Sequence, residues 1–588
     1  MNDDLFIKDG VLMAYRGDEA VITVPQGVTE IGEYAFSGCE TVETLIMHEG
    51  VKSIGRLAFR DCVSLRTVKL PESLERLGQG AFMRCCSLTE IALPESVTEL
   101  PRSCFNSCEA LSSVLLPAGL CVIGDKAFSG CISLKDLTLP HGLKAVGDFA
   151  FEYCTGLTSL VLPEGLRTIG RSAFYHCRDL RHITVPGTVD TIGSGAFYTT
   201  PFLEEAQEFL ICGGGILVRY NGSSEQVTVP QGVRKIGEDA FAFKDMIKQV
   251  ILPEGVTEIC MSAFERCSAL ERIDLPQSLK VIGGRAFGDC SSLEQITLPR
   301  NLRFIGCGAF GDCSSLSSIE LSDGIGSIGE GAFERTPLMN GDTLILAGKY
   351  LIRYCGSDGH YRLPEGVTLI AGGAFDGNTA LRCADLSGAV SVGEEAFRGC
   401  SSLREVFIPA TVRDIGGYAF SGIDGLRVTL ERSRRQYSLG CFDAGQELTF
   451  TDGDRSFTVR LLGEISGNTP EHALLDFAAQ PSQSLFRDLF YPEYMIPAAL
   501  CYADPGGDYE SYLRENIVPA VKYAVDLRDS AMLQKALAFG CLTERQTADC
   551  AAYAIEQRAL EQQVMIMRCK QERFGGTDTD AIDDRFDW

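Results

Sequence analysis

Residues 82–108 read FMRCCSLTEIALPESVTELPRSCFNSC, and this stretch decides the fold. Leu88, Ile91 and Leu93 place apolar side chains at the first, fourth and sixth positions of a short run. Ile91 and Leu93 face one way and Glu90 and Ala92 the other, which is the alternation of a strand. Pro94 ends that strand, because proline has no N–H to give to a ladder. Val97 and Leu100 turn inward again, and Cys104-Phe105 closes the unit. In other copies a glycine follows the second apolar pair, as in Ile123-Gly124 and Ile169-Gly170, where a sharp corner is expected.

Reading outward from Phe82 and Phe105, the unit repeats. Phe36, Phe59, Phe82, Phe105, Phe128, Phe151, Phe174 and Phe197 stand 23 residues apart. Phe241, Phe264, Phe287, Phe310 and Phe333 keep the same step, and Phe375, Phe397 and Phe420 close the series with one step of 22. That makes 8 + 5 + 3 = 16 copies. A single such coil cannot bury its apolar face, but stacked coils bury one another's, and the phenylalanines become a ladder through the core. The predicted fold is a repeat solenoid, a leucine-rich-repeat array of short β-strands and turns in about 16 coils of 23 residues. A small β cap and an α-helical C-terminal region follow it.

Two longer intervals, Phe197 to Phe241 and Phe333 to Phe375, divide the array. Phe209-Leu210-Ile211 through Tyr220-Asn221-Gly222 resembles Leu344-Ile345-Leu346 through Tyr354-Cys355-Gly356, and Leu5-Phe6-Ile7 through Tyr15-Arg16-Gly17 repeats both. Each reads as two short strands and a turn, with Thr200-Pro201 and Thr336-Pro337 marking where a preceding coil stops. The solenoid over 1–425 therefore has three blocks, 1–199, 200–335 and 336–425. The period ends after Phe420. Residues 426–467 alternate as a small β cap turning at Asp452-Gly453, and 468–574 read as helices. Thr469 before Pro470 marks a helix start, Thr543 with Gln546 makes a capping box, and Gly540 stops the helix before it. Asp529 to Thr543 resembles one ankyrin-type helix pair. The helical region is expected as a separate unit joined through Ser466-Gly467-Asn468, and the acidic segment 575–588 as a disordered tail.

The pattern Leu-x-x-Ile-x-Leu-Pro, then Val-x-x-Ile-Gly-x-x-Ala-Phe-x-x-Cys, resembles the BspA-like (Treponema pallidum type) leucine-rich-repeat family over about residues 20–425. The resemblance implies a curved solenoid used for binding, often on bacterial surfaces.

Lys and Arg number 53 against 79 Asp and Glu, a formal charge of −26. Such an acidic chain repels phosphate backbones, so nucleic acid is not expected as a partner. The basic cluster Arg427, Arg432, Arg434 and Arg435 is expected as a solvated strand or turn. No secretory signal is visible at Met1-Asn2-Asp3-Asp4-Leu5, and no run of 18 apolar residues predicts membrane insertion, so a cytoplasmic location is expected. Eleven of the 24 cysteines fall three residues after a ladder phenylalanine, namely Cys39, Cys62, Cys85, Cys108, Cys131, Cys154, Cys177, Cys267, Cys290, Cys313 and Cys400. No Cys-x-x-Cys pair accompanies them, so a column of small core thiols is expected rather than a metal or redox site.

Gly306-x-Gly308-x-x-Gly311 and Gly324-x-Gly326-x-x-Gly329 lie inside repeats and open no βαβ unit, so they are turn glycines and no cofactor is expected. The six histidines are scattered, and His176 and His182 should face different ways. No nucleophile elbow, zinc-helix or phosphate-loop motif occurs, so an enzyme is not expected. The surface that remains is the outward side of the strands. Glu90, Ser113, Asp136, Ser159 and His182 form one column, and Ala92, Leu115, Thr138, Val161 and Thr184 a second. These columns are the expected binding face for a protein partner of a non-enzymatic scaffold. The alternative is a cell-surface adhesin exported without a visible signal.

Overall fold

A typical period folds into one coil of two short strands and a bent return, and the computed structural model shows why nearly one length serves every copy. It describes residues 4–341, 343–346, 348–438, 440–453, 455–463, 470–479, 481, 489, 492–502 and 508–574. The chain divides into two compact units, residues 1–325 with 332–338, and residues 326–331 with 339–588.

In the first unit, Glu90–Ala92 is the front strand of its coil and Glu99–Leu100 the back strand. Front strands pair in parallel with equivalent residues opposed, Ser113 with Glu90 and Leu115 with Ala92. Back strands do the same, Glu99 with Val122 and Leu100 with Ile123. Alternation then buries Ile91 from the front and Leu100 from the back.

The phenylalanine bend forms a third ladder. The N–H groups of Leu57, Phe59 and Asp61 donate to the carbonyls of Gln79, Ala81 and Met83 in the next coil at 2.8–2.9 Å. A bend normally points alternate N–H groups in different directions. Here Leu57 and Asp61 hold φ at 53° and 59°, in the left-handed region that side chains disfavour. The same two positions around the phenylalanine are left-handed in Ser103 and Ser107, Phe149 and Tyr153, and Ser172 and His176. Hydrogen bonds between coils offset that strain. Inside the bend, the rings from Phe36 to Phe197 stack at centroid distances of 5.1–5.6 Å with planes within 22°.

The glycine after the back strand is not there to supply a sharp corner. Gly55 and Gly78 do not have positive φ. A Cβ on Gly78 would lie 2.4 Å from the backbone of Gly55 and Arg56, so the glycine is required because successive coils touch backbone to backbone. Its N–H also donates to the coil before, Gly78 to Ile54 and Gly124 to Leu100, each within 2.8 Å. Pro101 occupies this place in its own coil and has no N–H to give Leu77. The back sheet ends at Arg76–Leu77 and restarts at Glu99–Leu100.

The hairpins expected at the block starts are present. Leu5–Lys8 pairs antiparallel with Val11–Tyr15, Phe209–Cys212 with Ile216–Tyr220, and, in the second unit, Thr343–Leu346 with Tyr350–Tyr354. Each carries one register slip at the same place. Tyr15, Tyr220 and Tyr354 serve as first rungs, 5.3, 5.1 and 5.7 Å from Phe36, Phe241 and Phe375. Thr200 closes the first block. Its hydroxyl donates to the Phe197 carbonyl at 2.6 Å and accepts the Leu203 N–H at 3.3 Å, capping the one-turn helix α1 (Pro201–Glu204).

In the second unit the ladder runs past its expected end. Phe375, Phe397 and Phe420 stack in turn, and Phe442 adds a rung 5.3 Å from Phe420. Arg427–Glu431 pairs in parallel with Glu405–Ile408, and Gln436–Tyr437 with Asp414–Ile415, so this segment is a further coil and not part of a separate cap. The period was obscured because Cys441 replaces the usual alanine and no proline follows the front strand. Glu447–Asp452 continues that sheet, and Arg455–Arg460 turns back antiparallel on it at the expected hairpin.

The described helices of this unit are α2 (Pro470–Ala479), α3 (Pro492–Tyr502), α4 (Asp508–Asp526), α5 (Ser530–Ala538), α6 (Glu544–Glu556) and α7 (Leu560–Phe574). The helical region, expected to stand apart, does not. Leu474, Phe477, Tyr494 and Tyr509 share one buried cluster with Phe442, Leu448 and Phe457. The Tyr494 hydroxyl accepts the Leu462 N–H at 3.0 Å. Helices α4 to α7 add a second cluster around Leu533, Ala554 and Ile566. Asp529 caps α5, Thr543 and Gln546 form the expected capping box on α6, and Gly540 holds φ at 77° between them. Thr469, the Ser466-Gly467-Asn468 joint and the 575–588 tail lie outside the described residues.

Candidate functional site

All ten residues expected on the outward columns are exposed. Ser113 and Leu115 lie beside Glu90 and Ala92, and Ser159 and Val161 beside His182 and Thr184, in strict parallel register. Asp136 and Thr138 point outward with Leu137 buried between them, but the strand expected there does not form. The front sheet of this block reaches Ser113–Leu115 and resumes at Ser159–Val161. The face is therefore two ordered plates joined by a coil that keeps the alternation without ladder bonds.

The plate extends further toward the amino end than the columns first read. Thr67 pairs with Glu90, Thr44 and Ile46 with Thr67 and Lys69, and Val21 and Thr23 with Thr44 and Ile46. The 23-residue step that defined the columns reaches these positions when carried backward. Lys69, Glu90 and Asp136 are the charged residues of the columns from Val21 to Thr184; His182 adds one imidazole, and the rest are small, hydroxylated or aliphatic. Leu115 and Val161 are 67% and 68% exposed, on a backbone held by ladders on the other sides of the coil.

The cysteine column is an internal structure. Cys62, Cys85, Cys108, Cys131, Cys154 and Cys177 each donate their S–H to the phenylalanine carbonyl of the coil before, at 3.0–3.2 Å. Cys267, Cys290, Cys313 and Cys400 do the same in the later blocks. Burial pushes the thiols of Cys62, Cys177, Cys267, Cys313 and Cys400 up to about 12, so they remain protonated donors rather than nucleophiles. In the last coil Gln446 takes over, donating its amide to the Phe420 carbonyl at 2.8 Å.

Among the described residues, no group of three His, Cys, Asp or Glu side chains is placed to hold a metal ion. The His176 ring stacks 4.9 Å from Tyr153 on the bend, whereas His182 stands on a front strand, so the two do face different ways. Gly306, Gly308 and Gly311 lie on the bend of one coil with no helix after them. A Cβ on Gly306 would meet the Gly284 backbone at 2.4 Å, which is the stacking contact already described.

A family model described as the BspA type leucine rich repeat region matches residues 19–120, 98–207, 219–340 and 342–449. Among solved structures, the chain is similar to a leucine rich cell surface protein from Faecalibacterium prausnitzii. That match has 25% identity and a TM-score of 0.32, covering 73% of this chain and 90% of the other. A leucine-rich repeat protein from Bacteroides ovatus matches with 25% identity and a TM-score of 0.31, over 67% of this chain and 79% of its own. The T. pallidum leucine rich repeat protein matches with 28% identity and a TM-score of 0.25, over 32% of this chain and 80% of its own. No curated protein matches the chain. Among the described residues, no helix is long and apolar enough to cross a membrane.

Proposed function

The chain belongs to the BspA-type leucine-rich-repeat family, and from that premise we propose that it is a non-enzymatic scaffold holding a protein partner along the front face of its first unit. The observation that carries this reading is the pair of in-register plates. Leu115 and Val161 project from them two-thirds exposed, with Ala92, Thr138 and Thr184 in the same column. Aliphatic groups fixed in the open on a rigid array offer area to a partner without first having to be ordered.

Charges placed on Leu115, Thr138 and Val161 together should abolish partner binding and leave thermal unfolding unchanged, because outward positions are not part of the core. The measurement is capture from native lysate with wild-type and triple-variant bait, compared by mass spectrometry. Equal capture by both sinks this placement, and early unfolding of the variant sinks the outward assignment.

The same proposal puts the protein in the reducing cytoplasm. All 24 cysteines are free, and those of the column act as S–H donors, which disulfide formation would destroy. Recovery of the native protein in a surface fraction would instead favour the adhesin reading.

A further inference from the structure

We propose that the second unit carries a separate cleft that binds an acidic peptide segment, through the guanidinium groups of Arg413 and Arg435. The cleft measures about 990 Å³ and lies between the edge of the last coils and helix α2, with Leu475 and Ala479 on the helix side. That is the upper end of the ~300–1,000 Å³ range of ligand sites, enough for a short extended segment.

The arginine cluster expected as a solvated strand or turn does not behave as one group. Arg427 pairs with Glu405, and Arg432 with Asp452 at 2.6 Å. Arg435, by contrast, is half-buried, and among the described residues its guanidinium bonds only to backbone. Its Nη2 donates to the carbonyls of Pro409 and Glu431 at 3.0 and 2.5 Å, and its buried Nε has no acceptor. Arg413 is exposed on the same cleft, and among the described residues its guanidinium has no hydrogen bond or ion pair. Two carboxylates lie close by. Asp414 lines the cleft, and Glu431 accepts the Ala410 N–H at 2.8 Å. Among the described residues the lining holds three guanidiniums against one carboxylate, in a chain of net charge −26.

A half-buried guanidinium satisfied only by carbonyls retains its full charge, and a carboxylate is the partner its planar geometry fits. Val390 and Tyr437 beside the arginines favour a ligand with apolar residues flanking its acids. Val390, Leu475 and Ala479 in the lining give a peptide's apolar side chains surface that a phosphate chain would leave unused, which favours a peptide over a nucleic acid. The cleft shares no residue with the front face of the first unit, so either proposal can fail alone.

The test uses the full-length chain and fluorescence anisotropy at low salt. The probes are a labelled hexapeptide alternating leucine and glutamate and its leucine–glutamine counterpart. The glutamate peptide should bind, and the glutamine peptide at least about tenfold more weakly. Added salt should weaken binding. Arg413→Glu breaks no side-chain bond among the described residues and should also cost at least about tenfold, and Arg435→Gln should act in the same direction. The triple front-face variant should bind the peptide normally. Equal affinity for the two peptides overturns the proposal, as does an Arg413→Glu variant that binds like wild type. Tighter binding of a single-stranded oligonucleotide that is lost in Arg413→Glu would overturn it in favour of a phosphate ligand.

Discussion

Replacing Cys177 by alanine should destabilise the protein at neutral pH and do the opposite in strong base. Cys177 is fully buried, and its thiol lies 3.0 Å from the Phe151 carbonyl. That carbonyl also accepts the Cys154 N–H at 3.1 Å, so the variant loses a weak bond and some volume but leaves no orphaned acceptor. The expected cost near pH 7.5 is about 1 kcal/mol.

The sign of the pH dependence follows from burial, which raises this thiol from 9.0 to about 12 in the folded chain. A group with a raised folded pKa contributes fully below its unfolded value, and that contribution is lost as the pH rises toward the folded one. The window therefore runs from 9.0 to about 12. At pH 10 the unfolded thiol is mostly ionised and the folded one is not, which costs the wild type about 1.4 kcal/mol that the alanine variant does not feel. The gap should close near pH 10 and reverse above it. The other titrating groups cancel in the difference between the two proteins, apart from Cys154, whose thiol Cys177 also helps to raise. Urea unfolding of both, followed by circular dichroism at about pH 7.5 and 10 under reducing conditions, measures the gap through the midpoints. A gap of the same size at both pH values would refute a buried neutral thiol, and a wider one in base would mean that the fold stabilises the thiolate.

The other expectations are simpler to read. Phe128→Ala removes a ring stacked 5.5 and 5.4 Å from its neighbours and should cost roughly 3–5 kcal/mol, seen as a lowered urea midpoint. A loss under about 1 kcal/mol would mean that the ladder is not the core. Gly78→Ala should cost about 1–3 kcal/mol although its φ is ordinary, because the new Cβ meets backbone that cannot yield. Neutral behaviour there would refute the backbone contact between coils as the reason for the glycine. A thiol reagent at mildly alkaline pH should label the exposed Cys121, Cys307 and Cys355 quickly in the native protein and all 24 cysteines after unfolding. Rapid native labelling of Cys131 or Cys154 would contradict the buried column.

The coil itself was legible because it depends on side chains that recur: the phenylalanines, the Leu-Pro strand ends and the cysteines three residues on. The strand alternation also placed Leu115 and Val161 correctly outward. The left-handed residues on either side of each phenylalanine were not legible, since Leu57, Asp61, Ser103 and Tyr153 have no side-chain chemistry in common. What those positions share is an N–H directed at the next coil, and a backbone requirement of that kind leaves little trace in residue type. The missing ladder at 135–139 left no mark for a similar reason, because Asp136 and Thr138 fit the alternation and have no visible defect. The Phe442 coil was missed because its markers had been replaced, with Cys441 in the place of alanine and Gln446 doing the work of a thiol.

A stack of equal coils has no internal reason to stop, so the residues at its ends carry information that the middle does not. At each block start the rung is tyrosine rather than phenylalanine. The Tyr15 hydroxyl accepts the Glu19 N–H at 2.9 Å, and the Tyr220 hydroxyl the Ser224 N–H at 3.3 Å. The glycine two residues after each tyrosine leaves room for the chain to fold over the ring, because a Cβ at Gly17, Gly222 or Gly356 would lie 2.4–2.6 Å from the hydroxyl. A phenylalanine would take that acceptor away from both N–H groups, so the single hydroxyl turns a core residue into an end piece. The helical end solves the same problem differently. Phe457 presents its ring to Phe477 at 6.2 Å, and the helices finish the core that the last strands begin. The helices are therefore part of the second unit's fold, and whatever they bind, they cannot act as an appendage free of the coils beneath them.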